Sequence, residues 1–255
     1  MLNTLRDQAI ARIRQLMGHA LLSPETRLKA SRETSSSPGA EIKLVEEATR
    51  LEGAESVFRR IANAQSVGDV IDCTTEIRYA LVFDSLRFEV KFVPPGTVEM
   101  PDLLVSRDGK SSYVEITRIR PPHPQRFPAA LQQRAGDDDG LLRELKSREE
   151  AVKKIEDALR GKFRQAGAVN GNSIIVTWND RDFVDENDFE QAMLNIRRSQ
   201  TDPEDGRSIP DGLLFCVFGW PWINCGTGKQ MYCEPAKQLM EPFLTWITDL
   251  EQARP

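Results

Sequence analysis

The sequence predicts an α/β fold, with a mixed central sheet flanked by helices and an additional helical segment at the N-terminus. Two observations carry this prediction. Apolar residues recur at helical spacing in several long stretches, whereas shorter stretches alternate between apolar and polar residues, as strands do. Three strands follow one another early in the chain, and each later strand follows a helix, which is an order typical of a mixed sheet.

The composition limits the class of protein. The chain has 255 residues, of which 40% are hydrophobic and 29% charged, as in folded globular proteins. A net charge of −5 argues against a surface that is basic throughout, although a local basic groove remains compatible with it. No apolar run approaches the ~18 residues that a membrane helix needs. We therefore expect a cytoplasmic protein without a membrane partner.

Two units are predicted along the chain. Residues 1–40 contain an N-terminal helix and a Ser-rich linker, and residues 41–255 form a single α/β domain. Its core covers residues 65–178, and residues 179–255 add a strand and a C-terminal helix.

The first half of the chain is predicted to be helical before its strands begin. Apolar spacing predicts helices over 2–22, 41–63 and 67–86. In the last of these helices, Cys73 and Ile77 lie on the same face as Glu76. Alternating apolar residues from Phe88 to Phe92 then predict the first strand.

A hairpin and an alternating series of helices and strands follow. Asp108-Gly109 is a turn signal between strands predicted over 102–106 and 112–118. The later helices are predicted over 140–166, 188–198 and 235–252, and the later strands over 173–178 and 212–219.

Three carboxylates fall on neighbouring elements of this predicted core. Alternation places Tyr113, Glu115 and Thr117 on one face of a strand that is otherwise apolar, and Asp102 opens the adjoining strand. Glu76 lies on the sheet-facing side of a helix. A buried carboxylate is costly unless it is paired or binds a metal. The three acids therefore predict a site for Mg²⁺ or Mn²⁺, which prefer oxygen ligands.

The segments TTEIRYALVFDSLRFEVKFVP, MPDLL and SYVEITR occur in this order on a helix and strands, and the series resembles the PD-(D/E)xK nuclease superfamily. The resemblance covers residues 65–178 and implies a restriction-endonuclease-like core. It also implies that Asp102 and Glu115 are metal ligands and that Glu76 is the helix acid found in many members. The implied partner is nucleic acid, DNA rather than RNA, and the N-terminal helix is a candidate for homodimer formation.

One position departs from the pattern, because Thr117 occupies the place of the motif lysine. Threonine forms hydrogen bonds but supplies no positive charge. Arg118 and Arg120 alternate to the face opposite Glu115. Lys162 lies on the sheet-facing side of the predicted helix 140–166, although a solvated helix lysine is the ordinary interpretation of such a residue.

The leading interpretation is a divalent-metal-dependent nuclease that hydrolyses phosphodiester bonds in nucleic acid. Asp102 and Glu115 would hold the ion with help from Glu76, Thr117 would hold a water or a ligand, and Lys162 would replace the missing charge. The alternative is a non-catalytic protein of the nuclease fold that binds nucleic acid or protein, and Thr117 is its best support.

Overall fold

A computed structural model describes residues 2–19, 37–94, 96, 100–119, 148–169, 171–178, 186–199, 209–210, 213–218 and 230–232. These residues form an α/β structure in which helices pack on a mixed sheet and a helical segment precedes it. The predicted C-terminal helix over 235–252 lies outside the described residues. So does the first part of the helix predicted over 140–166.

The described helices before the sheet are α1 (Leu2–His19), α2 (Pro38–Glu47), a 3-10 turn (Ala48–Arg50), α3 (Ala54–Ala62) and α4 (Val67–Ser85). Two of them, α2 and α4, begin at a side-chain cap. The Ser37 side chain accepts a hydrogen bond at the start of α2, and Pro38 occupies the first helical position. Ser66 and Asp69 form a reciprocal capping box at the start of α4, which fixes where this helix begins.

The prediction of one helix over residues 41–63 is wrong. The chain leaves the helical conformation between α2 and α3, where Gly53 has a φ of 76°. Glycine adopts this left-handed value without a steric penalty. A Cβ at Gly53 would also lie 2.6 Å from the backbone oxygen of Phe92, so the break brings α3 close to the first strand.

The six described strands form one sheet in sequence order. They are β1 (Glu89–Phe92), β2 (Leu103–Arg107), β3 (Lys110–Arg118), β4 (Ser173–Trp178), β5 (Leu213–Phe218) and β6 (Gln230–Tyr232). The first three strands are antiparallel, β3, β4 and β5 are parallel, and β6 returns antiparallel. This arrangement confirms the predicted mixed sheet. The predicted turn is also confirmed, with positive φ values at Asp108 and Gly109.

Helices cover both faces of the sheet. The helices α1 to α4 share one buried core with Val114 and Ile116 of β3. On the opposite face, α5 (Arg148–Gly167) and α6 (Glu186–Arg198) enclose a second core that includes Ile175 of β4. Because Glu115 lies in register with Ile175, its side chain points towards α5.

Among the helices in the described part of the chain, none has the length and apolar character needed to cross a bilayer.

Candidate active site

Asp102 is fixed beside β3 by a backbone hydrogen bond. It immediately precedes β2, and its Oδ2 accepts a hydrogen bond of 2.8 Å from the backbone N–H of Ile116. Its own carbonyl accepts another, of 2.9 Å, from Val93. The side chain is 14% exposed. The carboxylate therefore lies at the start of β2, against the backbone of Ile116, which follows Glu115 in β3.

Glu115 is buried between the sheet and α5. Its side chain is 1% exposed, and Oε1 lies 2.5 Å from Nζ of Lys162. This ion pair includes a hydrogen bond from Lys162 that favours the ionised form of Glu115, whereas Oε2 has no hydrogen-bond partner among the described residues. The structure thus places Lys162 against the sheet, on the side that its helical spacing predicts.

Glu76 is held by a cation that the sequence did not single out. The guanidinium of Arg60, on α3, contacts Oε2 of Glu76 and lies 3.9 Å from Oδ1 of Asp102. The Glu76 side chain is 9% exposed. A signal for Arg60 was present, because it borders the buried stripe of α3 formed by Val57 and Ile61.

The three carboxylates form a row with a cation at each end. Arg60 contacts Glu76 and approaches Asp102, Lys162 contacts Glu115, and the charge of Asp102 acts on both glutamates. When all three acids are ionised, three negative and two positive groups give this row a net charge of −1. The ionised row therefore attracts a further cation.

The pKa values of all three acids are raised, chiefly by burial. Burial, and then the charge of Asp102, raise the pKa of Glu115 to about 8, although Lys162 opposes the shift. Burial and Asp102 likewise raise the pKa of Glu76 well above its usual range, against the influence of Arg60. Burial also raises the pKa of Asp102, which the N–H of Ile116 partly offsets. A bound cation would lower all three values.

The donor set fits a magnesium-type ion better than a closed metal cage. Among the described residues, no three Asp, Glu, His or Cys side chains are already grouped as a metal site. Asp102 and Glu115 nevertheless offer neighbouring oxygens, and Oε2 of Glu115 is buried without a hydrogen-bond partner among the described residues. Mg²⁺ commonly binds through one or two carboxylates and keeps several waters. Glu76 could join them only after exchanging its contact with Arg60.

Thr117 and Arg118 point to opposite faces of β3, as alternation predicts. Thr117 is paired in register with Thr177 of β4, whose buried hydroxyl has no hydrogen-bond partner in the described part of the chain. The Arg118 guanidinium donates to Asp72 Oδ1 at 2.6 Å and to the Gly68 carbonyl at 3.1 Å, both on α4. Arg118 therefore does not supply the charge missing beside Glu115. Arg120 lies outside the described residues.

A buried thiol lies close to the Glu76 end of the row. Burial, and then the charge of Glu76, raise the pKa of Cys73 to about 12. The thiolate is the nucleophilic form of cysteine, so this side chain stays protonated and unreactive near neutral pH. Cys73 is part of the wall of the site and not a nucleophile.

Neither protein-family models nor curated proteins nor solved structures gave a match to this chain.

Proposed function

We propose that the protein is a divalent-metal-dependent nuclease with a restriction-endonuclease-like core. The observation that carries this proposal is the position of Lys162, whose Nζ lies 2.5 Å from Glu115 at the end of the carboxylate row. In the superfamily that the sequence resembles, a lysine occupies the position of Thr117, two residues after Glu115. A lysine on α5 that reaches the same carboxylate supplies the same charge from another element.

Each residue of the row has a role in this proposal. Asp102 and Glu115 hold the ion, and Glu76 supports it from α4. Mg²⁺ or Mn²⁺ at such a position lowers the pKa of water and offsets negative charge on a phosphate. Lys162 would orient the attacking water and stabilise the negative charge that develops on the phosphate oxygens in the transition state. The Thr117 hydroxyl holds a water or a phosphate oxygen.

DNA is the proposed substrate, and the proposed roles of the site residues concern cleavage of its backbone and not recognition of its sequence. The acids and Lys162 would act on the phosphodiester backbone, which is the same at every base.

A second candidate function is binding without cleavage. It is favoured by Thr117 at the motif position and by the pairing of two of the carboxylates with Arg60 and Lys162. A protein of this kind would bind nucleic acid or another protein and leave the phosphodiester intact.

Cleavage assays separate the two candidates. Labelled single- and double-stranded DNA and RNA are incubated with Mn²⁺ and the wild-type protein, Lys162→Met or Lys153→Met. Lys153 is an exposed lysine on the same helix and provides the matched control. We expect cleavage of DNA that falls by about 10²-fold or more in Lys162→Met, because a positioned charge is lost from the transition state.

Lys153→Met should cleave as the wild type does. Mn²⁺ binding with no cleavage of any substrate would favour the binding module. Equal cleavage by the two methionine variants would remove Lys162 from the mechanism.

A further inference from the structure

Arg60 has no role in the proposed reaction, yet it contacts two of the three acids. Its guanidinium pairs with Glu76 and lies 3.9 Å from Asp102. An ion held by Asp102 and Glu115, with support from Glu76, would therefore share two of its carboxylates with Arg60. Its positive charge would repel the guanidinium and compete with it for these carboxylates.

The exposure of these groups shows where Arg60 could turn. The Arg60 side chain is 42% exposed, whereas those of Glu76 and Asp102 are almost enclosed. Its backbone is anchored, because Val57 and Ile61 on the same helix are fully buried. An arginine with a fixed backbone and a solvent-accessible guanidinium can leave a carboxylate of the protein and pair with an anion outside it.

We propose that Arg60 is a phosphate-contacting residue, which pairs with Glu76 and Asp102 in the metal-free protein and turns to the substrate phosphodiester when a divalent ion takes those carboxylates. This inference rests on the proposed function, since it assigns the substrate-binding group of the same site. The planar guanidinium donates two parallel hydrogen bonds, which match two phosphate oxygens.

The charges of the site favour this exchange. A divalent ion adds positive charge beside Arg60, which repels the guanidinium from the two carboxylates. The same positive charge attracts the negatively charged phosphodiester to the site. Both effects depend on the ion, so the contact of Arg60 with phosphate should depend on it too.

The first test is the affinity for Mn²⁺ in the absence of DNA. The variants are Arg60→Gln, Arg60→Lys and the control Arg59→Gln, which changes the exposed arginine one position earlier on α3. Calorimetric titration should show three- to tenfold tighter binding by Arg60→Gln, because no guanidinium competes for the carboxylates. Arg59→Gln should bind as the wild type does. Weaker Mn²⁺ binding by Arg60→Gln would show that Arg60 only supports the acids, and would overturn the proposal.

The second test is the affinity for a short DNA duplex, measured by fluorescence anisotropy with EDTA or with Ca²⁺ as a divalent ion that limits cleavage. With Ca²⁺, Arg60→Gln should bind DNA about tenfold more weakly. The slope of the logarithm of its binding constant against the logarithm of the salt concentration should be smaller in magnitude by about one. With EDTA the same substitution should change the affinity less than twofold. Arg60→Lys keeps the charge but not the planar fork, and should lie between the wild type and the glutamine variant.

An effect of Arg60→Gln that is the same with EDTA and Ca²⁺ would overturn the exchange, and so would no effect in either buffer. Unfolding midpoints in urea check that the variants remain folded. Both readouts measure binding, so a wild-type protein that fails to cleave DNA would reject the nuclease and still leave these outcomes decisive for Arg60. A wild-type protein that binds no Mn²⁺ would overturn both proposals.

Discussion

Replacement of Glu115 by glutamine should make the stability of the protein less dependent on pH. Burial and the charge of Asp102 raise the pKa of Glu115 from 4.5 to about 8. Below its unfolded pKa, such a carboxyl group is protonated in both states and does not destabilise the fold. Between the unfolded and the folded pKa, only the unfolded state loses the proton. The free energy of unfolding therefore falls as the pH rises through this interval and levels off above the folded pKa.

The expected magnitude follows from these two pKa values. One unit of difference corresponds to about 1.4 kcal/mol, and most of the interval from 4.5 to about 8 is crossed between pH 5 and pH 8. Ionisation of Glu115 should therefore lower the free energy of unfolding by on the order of 3 kcal/mol over this range. Glutamine keeps the shape of the side chain and does not ionise, so Glu115→Gln should lack this contribution.

Urea unfolding at about pH 5 and pH 8, without divalent ions, measures the difference. The control is Glu89→Gln on β1, where the glutamate is exposed to solvent. We expect Glu115→Gln to lose about 3 kcal/mol less than the wild type between the two pH values, and Glu89→Gln to follow the wild type. If the stability of Glu115→Gln fell with pH as steeply as that of the wild type, the burial and repulsion assigned to this carboxylate would be refuted.

Three further substitutions test individual contacts in the site and elsewhere in the fold by urea or thermal unfolding. Lys162→Met removes the cation nearest a buried acid and should lower the free energy of unfolding at pH 8 by about 1–3 kcal/mol, since Lys162 is itself partly exposed. Combination with Glu115→Gln should restore most of this loss, and additive effects would argue against the contact. Arg78→Met leaves its fully buried glutamate partner on α2 without a cation and should lower the free energy by about 3 kcal/mol, with Mn²⁺ affinity unchanged. Gly53→Ala should reduce the melting temperature more than Gly109→Ala, because both residues have positive φ but only the Cβ at Gly53 meets a backbone oxygen, so equal reductions would contradict the close approach.

Local periodicity predicted the residues of the site that lie within one element. Alternation along β3 places Glu115 and Thr117 on one face and Arg118 on the other, and this needs no knowledge of neighbouring strands. Helical spacing similarly predicts that Lys162 faces the sheet. Its contact with Glu115 required the structure, because the crossing of α5 over β3 depends on packing between distant parts of the chain.

The sequence pattern did not predict features that depend on contacts between distant parts of the chain. Arg60 pairs with Glu76 because α3 and α4 meet beside the sheet, and nothing in the sequence of either helix specifies that meeting. The break between α2 and α3 was missed because apolar spacing continues across it, although Gly53 was its local signal. The short strand β6 has too few residues to show alternation, and its strand conformation rests on pairing with β5.

Calorimetric titration with Mn²⁺ measures whether Asp102 and Glu115 hold a divalent cation, as we propose. Asp102→Asn keeps the size of the side chain and removes its charge. We expect the wild type to bind Mn²⁺ and Asp102→Asn to bind it more than about tenfold more weakly. Substitution of a residue that only orients a metal ligand already weakens metal binding by about tenfold or more, and Asp102 is proposed as a ligand itself. Equal affinities of the two proteins, or no binding by the wild type, would show that Asp102 and Glu115 do not hold the ion.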